Sequence, residues 1–284
     1  MIEFSVVDPA GIRLGEHPFW DAANARMGWV DIFGGALRWV GDGVFDQWPF
    51  PAPLGAAAMR RGGGVIAAAG GGIHFRDASG REDREPITGL LADGIRFNDG
   101  ACDPDGSFVC GTVALDQRPE AGSLYRISPE GDVEVLENSI TESNGLAWSP
   151  DGRTLYYIDS GEPTIRRYAY RSGQRLERQR DLCSAASGIP DGLCIDGTGA
   201  IWAAIWEGAS LLRISPQGEL MAVVSTPVSR PTCAAFGGPG LNRLFVASAW
   251  EGLDAAAREL EPWAGHLLVC DPQVPGADAH AFAG

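Results

Sequence analysis

The sequence is short of basic residues and contains no long apolar run. Its 284 residues include 22 Lys and Arg against 37 Asp and Glu, a formal net charge of −15 at pH 7. Negative charge of this size repels phosphate backbones and anionic lipids, so we expect neither a nucleic acid nor a membrane as partner. Residues 1–8 (MIEFSVVD) lack a basic leader, and no apolar stretch is long enough to span a bilayer. We therefore expect a cytoplasmic protein.

The signatures of nucleophilic and zinc hydrolases are also missing. No G-x-S-x-G elbow is present, and the four histidines show no zinc-ligand spacing. A Ser-His-Asp enzyme is therefore not expected. The six cysteines form no C-x-x-C pair and lie mostly in apolar runs, which predicts buried, reduced thiols. They are Cys102, Cys110, Cys183, Cys194, Cys233 and Cys270.

Helical periodicity is scarce, and a strand-turn-strand phrase takes its place. One of the 39 glycines or 19 prolines interrupts most windows of helical length, which argues against a doubly wound α/β fold. The phrase is a small or polar residue, an apolar strand, an Asp/Gly turn and a second apolar strand. It begins at residues 16, 55, 98, 144, 191 and 232. The offsets of 39 to 47 residues are typical of propeller blades.

Each phrase is followed by a second hairpin signature, for example residues 122–135 with a Pro-Glu-Gly turn. Two hairpins make a four-stranded blade, so residues 1–284 are predicted to form a single all-β domain, a six-bladed β-propeller. Residues 4–7 are predicted to supply the missing outer strand of the last blade and so close the ring. Residues 253–260 resemble a short helix, and the loop around them, residues 250–263, is either an active-site loop or a plain surface connection.

The residues that begin four of the phrases are polar. Glu16, Asn98, Asn144 and Asp191 offer two carboxylates and two amides where packing alone would take small apolar side chains. The innermost strand of each blade runs along the axis, so these residues are expected to converge at one end of the channel. Singly, Asn-Gly and Asp-Gly are ordinary turn pairs. Their shared phase nevertheless favours an oxygen-ligand site for Ca²⁺, Mg²⁺, Mn²⁺ or Fe²⁺.

Four ordered motifs carry a specific resemblance to a known family. Residues 14–20 (LGEHPFW), 96–100 (RFNDG), 143–152 (SNGLAWSPDG) and 190–196 (PDGLCID) resemble motifs of the SMP-30/gluconolactonase/regucalcin family. The resemblance spans nearly the whole chain. It implies a six-bladed propeller that holds one divalent metal ion, in agreement with the fold and the site expected from the repeats.

The resemblance also implies roles for individual residues. It places the metal ion on Glu16, Asn144 and Asp191, and it implies that Arg96 and Asn98 contact the bound sugar. The implied function is metal-dependent hydrolysis of sugar lactones, in particular aldonolactones, to aldonic acids. On this hypothesis the ion polarises the lactone carbonyl and activates a water, and Asp191 acts as the general base.

Several points stay open from the sequence. Glu120 is a further candidate for substrate contact, against the plainer interpretation of a solvated loop carboxylate. His17 and Trp206 are candidates for substrate selection, against ordinary packing. The alternative functions are a calcium-binding regulatory propeller without turnover and a propeller esterase or phosphotriesterase. Also open are the metal (Ca²⁺, Zn²⁺, Mn²⁺, Mg²⁺ or Fe²⁺), the sugar lactone, and the choice between a monomer and a small homo-oligomer.

Overall fold

Six antiparallel sheets are arranged in a ring. The computed structural model describes residues 2–183 and 187–284, and almost all of their regular structure is β. Five of the sheets are meanders, in which strands that follow one another in sequence are also neighbours in space. The sixth sheet combines strands from both ends of the chain. The protein is therefore a six-bladed β-propeller, as the repeat spacing predicted.

The blades follow the chain in order after an N-terminal strand, β1 (Phe4–Val6). Blade 1 contains β2 (Gly15–Asp21), β3 (Arg26–Asp31), β4 (Ala36–Gly41) and β5 (Val44–Pro49). Blade 2 contains β6 (Leu54–Met59), β7 (Val65–Ala69), β8 (Gly72–Arg76) and β9 (Glu82–Ile87). Blade 3 contains β10 (Ile95–Cys102), β11 (Phe108–Ala114), β12 (Gly122–Ile127) and β13 (Val133–Ile140).

The last three blades repeat the pattern with one irregular outer edge. Blade 4 contains β14 (Ser143–Trp148), β15 (Thr154–Asp159), β16 (Thr164–Ala169) and two short strands that both pair with β16, β17 (Glu177–Arg178) and β18 (Leu182–Cys183). Blade 5 contains β19 (Ile189–Ile195), β20 (Ile201–Trp206), β21 (Ser210–Ile214) and β22 (Leu220–Ser225). Blade 6 contains β23 (Pro231–Gly237), β24 (Arg243–Ser248) and β25 (Leu268–Cys270).

The N-terminal strand completes the sixth blade. β1 pairs antiparallel with β25, so the sheet runs β23, β24, β25, β1 from the axis outward. Beyond β1, the Asp8 carboxylate accepts a hydrogen bond from the Leu267 N–H at 2.9 Å and lies 3.0 Å from Nδ1 of His266. Ring closure by the N-terminal segment is thus confirmed. It joins the two ends of the chain through both backbone and side-chain bonds.

Small side chains fill the space nearest the axis, where the inner strands crowd together. In blade 2 the strands β6 and β7 contain six alanines that are at most 6% exposed, Ala56, Ala57, Ala58, Ala67, Ala68 and Ala69. Larger aromatic side chains lie farther out between neighbouring blades, where Trp39, Phe75 and Trp202 are almost fully buried. Burial of these faces provides the apolar core of the ring. The cysteines agree with the prediction of buried, unpaired thiols. Four of them are buried and unpaired, and Cys194 is unpaired and half-buried; the four are Cys102, Cys110, Cys233 and Cys270. The side chain of Cys183 lies outside the described part.

We call the end of the ring at which the six inner strands begin the top face. Because the strands alternate in direction, the links between blades and the loops between second and third strands lie at this end. The link before β10 and the loop between β11 and β12 are examples. The short helix α1 (Ala255–Leu260) lies in such a loop, between β24 and β25, as predicted for residues 253–260. None of its residues is buried, which favours a surface connection.

The C-terminal segment, residues 271–284, crosses the opposite, bottom face. It is bound to blade 5 where the Ala277 N–H donates to the Ile195 carbonyl at 3.1 Å. It is bound to blade 2 where the Phe282 N–H donates to the Met59 carbonyl at 2.9 Å. The Phe282 ring is fully buried and lies 5.9 Å from that of Phe75. Blades 2 and 5 stand opposite each other, so this segment passes across the axis.

Among the described residues, no helix has the length and apolar character needed to span a bilayer.

Candidate active site

The inner strands share an irregularity at the top face. In each of the six, the pairing with the second strand breaks near its start and resumes farther along. β-bulges of this kind re-aim side chains and often adjoin active sites. The residues within the breaks are His17–Pro18, Gly55, Asn98–Asp99, Asn144–Gly145, Asp191–Gly192 and Thr232.

Three of the four polar residues singled out in the repeat occupy this break, and the fourth does not. Asn98, Asn144 and Asp191 each come first in their breaks, whereas Glu16 is still paired with Val30 of β3. His17 takes the matching position in blade 1. The phase inferred for Glu16 was therefore wrong by one residue. The physical reason is the left-handed backbone of His17, with φ of 44°, because of which the break in strand pairing begins at His17 and not at Glu16. The His17 N–H donates to Glu16 Oε2 at 3.1 Å.

A chain of hydrogen bonds links blades 3, 4 and 5 through the polar residues of the breaks. Arg96 Nη1 donates to Asn98 Oδ1 at 2.6 Å, and Asn98 Nδ2 donates to Asn144 Oδ1 at 2.8 Å. Asn144 Nδ2 in turn donates to Ser160 Oγ at 2.7 Å, and Ser160 Oγ donates to the Pro190 carbonyl at 2.5 Å. Because the Ser160 hydroxyl donates its hydrogen to the Pro190 carbonyl, its oxygen must accept the hydrogen bond from Asn144. The Asn144 amide oxygen therefore faces Asn98 and has a second lone pair free.

Two buried carboxylates stand beside this chain. Glu16 and Asp191 are each 6% exposed. Burial raises the pKa of Glu16 well above its usual range, and the charge of Asp99 raises it further, against the opposing effect of Arg96. Burial likewise raises the pKa of Asp191, with further increases from Glu16 and Glu142. The charge of Glu16, from blade 1, therefore acts on Asp191, from blade 5.

Arg96 lies among these acids. Burial lowers the pKa of its guanidinium, while Glu142, Glu16 and Asp191 act to raise it. Glu142 stands in the link between β13 and β14; burial raises the pKa of its carboxyl, and Arg96 opposes that rise. Arg96 is thus within electrostatic reach of three carboxylates, which come from blade 1, from blade 5 and from the link between blades 3 and 4. This places it where a bound molecule at the top of the axis would meet it.

Sequence reasoning missed two acids of this cluster, Asp99 and Glu142. Asp99 lies inside the RFNDG motif, directly after Asn98, and Glu142 directly precedes the SNG motif. Both positions border residues that the repeat singled out. Asp99 is the second residue of its phrase and Glu142 lies in a link outside the phrases, so the shared first position of the repeat does not single them out.

The structure does not bring Glu120 into the buried cluster. It is exposed in the loop between β11 and β12, with a left-handed φ of 58°, and its N–H donates to Thr141 Oγ1 at 3.2 Å. This loop belongs to the top face, and Thr141 is the neighbour of Glu142. Glu120 therefore stands at the rim of the site, where contact with a substrate stays a prediction.

A groove of about 320 Å³ opens at Arg96, between blades 2 and 3. It is lined largely by backbone and small side chains of top-face loops, among them Pro53, Gly71 and Gly94. A second cavity, of about 370 Å³, lies beside α1 and is lined by Trp250, Arg258 and His266. No residue predicted to bind metal or substrate lines the second cavity. The groove at Arg96 is therefore the one that adjoins the cluster.

The donor set of the cluster fits a divalent cation. In the described part of the chain no three His, Cys, Asp or Glu side chains are grouped as metal ligands, so a site here needs an amide oxygen beside the carboxylates. Glu16 and Asp191 supply two carboxylates whose ionisation is opposed by burial, and Asn144 supplies an oxygen with a free lone pair. A cation between them would offset the cost of two buried negative charges. The residues present therefore suit the ion that the sequence predicted.

Comparison with known proteins agrees with the fold and shows the family. A family model described as SMP-30/Gluconolactonase/LRE-like region matches residues 14–250. The chain belongs to this family. Among curated relatives, a 6-deoxy-6-sulfogluconolactonase of Pseudomonas putida is 35% identical over 279 residues, which cover 95% of both chains. A regucalcin of Xenopus laevis is 34% identical, with 96% of this chain and 95% of that protein covered.

Solved structures of the family share the whole architecture. A calcium-binding protein, regucalcin, from Agrobacterium tumefaciens superimposes with a TM-score of 0.90 at 26% identity, covering 100% of this chain and 98% of that one. A luciferin-regenerating enzyme gives the same TM-score and identity with both chains fully covered. The family shown by these matches is the one that the four motifs indicated.

Proposed function

We propose that this protein hydrolyses sugar lactones and uses one divalent metal ion at the top of the propeller axis. The observation that carries the proposal is the cluster of two buried carboxylates, Glu16 and Asp191, with the guanidinium of Arg96. Family membership supports the reaction, because relatives along the full length of the chain are named as lactonases of sugar acids.

Glu16, Asn144 and Asp191 are the residues that would hold the ion. Their oxygens come from blades 1, 4 and 5, and the three side chains are at most 6% exposed. When bound, an ion at this position supplies positive charge that polarises the lactone carbonyl and makes a nearby water more acidic. Oxygen donors of this kind suit Ca²⁺, Mg²⁺ and Mn²⁺. The choice of ion is a matter for measurement.

Asp191 transfers the proton, and Arg96 stabilises the negative charge that develops during the reaction. Asp191 accepts a proton from the attacking water while the water oxygen forms a bond to the lactone carbonyl carbon. The ring C–O bond then breaks, and the departing ring oxygen takes up the proton that Asp191 accepted, which gives the hydroxyl of the open acid and restores the Asp191 carboxylate. Arg96, held by Asn98, orients the sugar and stabilises the negative charge on the carbonyl oxygen. The product is one aldonic acid per lactone and water.

The deciding experiment is a rate assay on metal-stripped protein with single divalent ions restored. Initial rates would be followed by proton release on a panel that contains aldonolactones, among them gluconolactone and an anionic 6-substituted gluconolactone, together with one aryl ester and one phosphotriester. We expect turnover to return with at least one ion and to favour one sugar. Metal binding without turnover on any lactone would instead favour a calcium-binding protein, and turnover restricted to aryl esters or phosphotriesters would favour an esterase.

A further inference from the structure

The backbone of His17 is held in a conformation that histidine seldom adopts. Its φ of 44° lies in the left-handed region, although it is part of β2 and is followed by Pro18. Glycine would occupy such a position without strain, and a non-glycine residue there needs support from its surroundings. In the ladder of blade 1, His17 occupies the place that Asn98, Asn144 and Asp191 occupy in theirs. The support comes from a side-chain contact.

The His17 ring reaches past blade 2 to an acid of blade 3. Its Nδ1 lies 2.6 Å from Asp99 Oδ1, and that carboxylate also accepts from the Gly100 N–H at 2.7 Å. Blade 2 has Gly55 at the matching position, and a Cβ there would lie 2.6 Å from the Phe97 carbonyl carbon. Because Gly55 has no side chain, β10 can approach closely, and blades 1 and 3 come into contact.

This contact occupies Nδ1 of the imidazole and leaves Nε2 as the available nitrogen. Asp99 is 4% exposed and, as a carboxylate, only accepts, so Nδ1 of His17 carries the hydrogen. In the neutral ring Nε2 is then a hydrogen-bond acceptor. Among residues 2–183 and 187–284, no hydrogen-bond partner is found for Nε2, and the side chain retains 12% exposure. His17 directly follows Glu16 in the chain, and its N–H donates to the Glu16 carboxylate, so the open nitrogen belongs to a side chain next to a residue of the candidate site.

We propose that His17 is a specificity-determining residue whose Nε2 accepts a hydrogen bond from one hydroxyl of the bound sugar ring, with Asp99 as its positioning residue. The proposal rests on the proposed function insofar as the ligand is a polyhydroxylated ring. A hydroxyl is the matching group because an acceptor nitrogen needs an O–H donor, whereas a lactone carbonyl offers none. Of the other inward polar groups, Asn144 and Asp191 are assigned to the metal ion, and Arg96 Nη1 donates to Asn98.

The test combines two substitutions with a set of deoxy lactones. His17→Asn keeps an N–H near the Nδ1 position for Asp99, tolerates a left-handed backbone, and removes the distal acceptor. His17→Gln restores a polar atom near the Nε2 position and serves as the rescuing variant. We expect His17→Asn to lose roughly tenfold in kcat/KM on the fully hydroxylated lactone, mostly through KM. We expect no loss on the one monodeoxy lactone that lacks the partner hydroxyl, and partial recovery in His17→Gln.

A binding measurement separates this proposal from the lactonase proposal. Calorimetry with 1,5-anhydroglucitol, a sugar ring with no carbonyl to hydrolyse, should show binding to the wild type that is weakened roughly tenfold in His17→Asn. If no lactone is turned over but this difference is found, the lactonase proposal fails and the role of His17 stands. If His17→Asn binds and hydrolyses every ligand like the wild type, or loses equally on all lactones including every deoxy form, the role of His17 is refuted. Absence of polyol and lactone binding in the wild type would refute both.

Discussion

Replacing Asp191 by Asn should have opposite effects on the metal-free and the metal-bound protein. The substitution keeps the shape and removes one of two buried charges. Because burial and Glu16 raise the pKa of Asp191 in the folded state, the folded protein binds more protons than the unfolded chain. Ionisation of Asp191 therefore destabilises the metal-free fold increasingly as pH rises from about 4, the pKa of an unfolded Asp. At pH 8 and without metal, Asp191→Asn should thus melt higher than the wild type, and at pH 4 the difference should vanish.

Metal should stabilise the wild type far more than it stabilises Asp191→Asn. An ion at a hundred times its dissociation constant contributes about 2.7 kcal/mol to the free energy of unfolding. For a chain of 284 residues the unfolding entropy is about 0.6 kcal/mol/K, which converts this gain into a rise in Tm of about 5 °C. If Asp191→Asn weakens the ion a hundredfold, the remaining gain at the same concentration is about 0.4 kcal/mol. Its Tm should then rise by less than about 1 °C.

Asp196→Asn is the matched control, because Asp196 follows the far end of the same strand. Burial alone would raise the pKa of Asp196, but hydrogen bonds from Thr198, Trp202 and Arg213 outweigh it and hold the pKa below its usual range. Removing this charge should cost about 2–4 kcal/mol with or without metal, or about 3–7 °C in Tm. The metal-dependent rise should stay at the wild-type value.

Differential scanning fluorimetry at pH 4 and pH 8, with and without each divalent ion, measures all of these quantities. The reasoning would be refuted if Asp191→Asn lowered the metal-free Tm at pH 8 as Asp196→Asn does. It would equally be refuted if Asp191→Asn kept the full metal-dependent rise, because the ion would then be bound elsewhere.

Three further predictions concern other parts of the molecule. Arg96→Lys should lower lactone turnover by about 100-fold, because an ammonium cannot reproduce the planar fork, while the metal-dependent rise in Tm persists. Gly55→Ala should sharply lower Tm, because the new Cβ would lie 2.6 Å from the Phe97 backbone. In the control Gly62→Ala the new Cβ meets nothing within 4 Å, so Tm should stay within about 1–2 °C of wild type, roughly the range of a surface substitution. Phe282→Ala should lower the free energy of unfolding by about 3–5 kcal/mol in chemical denaturation and leave turnover of folded protein unchanged, because the C-terminal segment lies at the bottom face.

The fold could be predicted from the sequence because each blade is specified by short patterns of neighbouring residues. Alternating apolar residues and Asp/Gly or Pro-Glu-Gly turns specify a hairpin within about a dozen residues, and the repeat of this pattern specifies the ring. The outer strand from residues 4–6 followed from counting strands in the last blade. The C-terminal segment was not predicted, because its bonds to blades 2 and 5 join parts of the chain that no local pattern connects.

The candidate site was predicted in part. Asn98, Asn144 and Asp191 share a place in the repeat, so the symmetry of the propeller brings them together. Glu142 and Asp99 enter through contacts between different blades, and such contacts leave no periodic trace in the sequence.

The six blades, their four strands and the polar inner strand starts follow from local propensity and from the period of the repeat, so they can be recognised in the sequence. Which of those polar atoms meet depends on how the blades pack against one another. The breaks in strand pairing set the register, the absent side chain of Gly55 lets blade 1 touch blade 3, and shared burial turns Glu16 and Asp191 into a pair with raised pKa values. Charge repulsion and desolvation depend on distance in space, and distance in space is set when the ring closes.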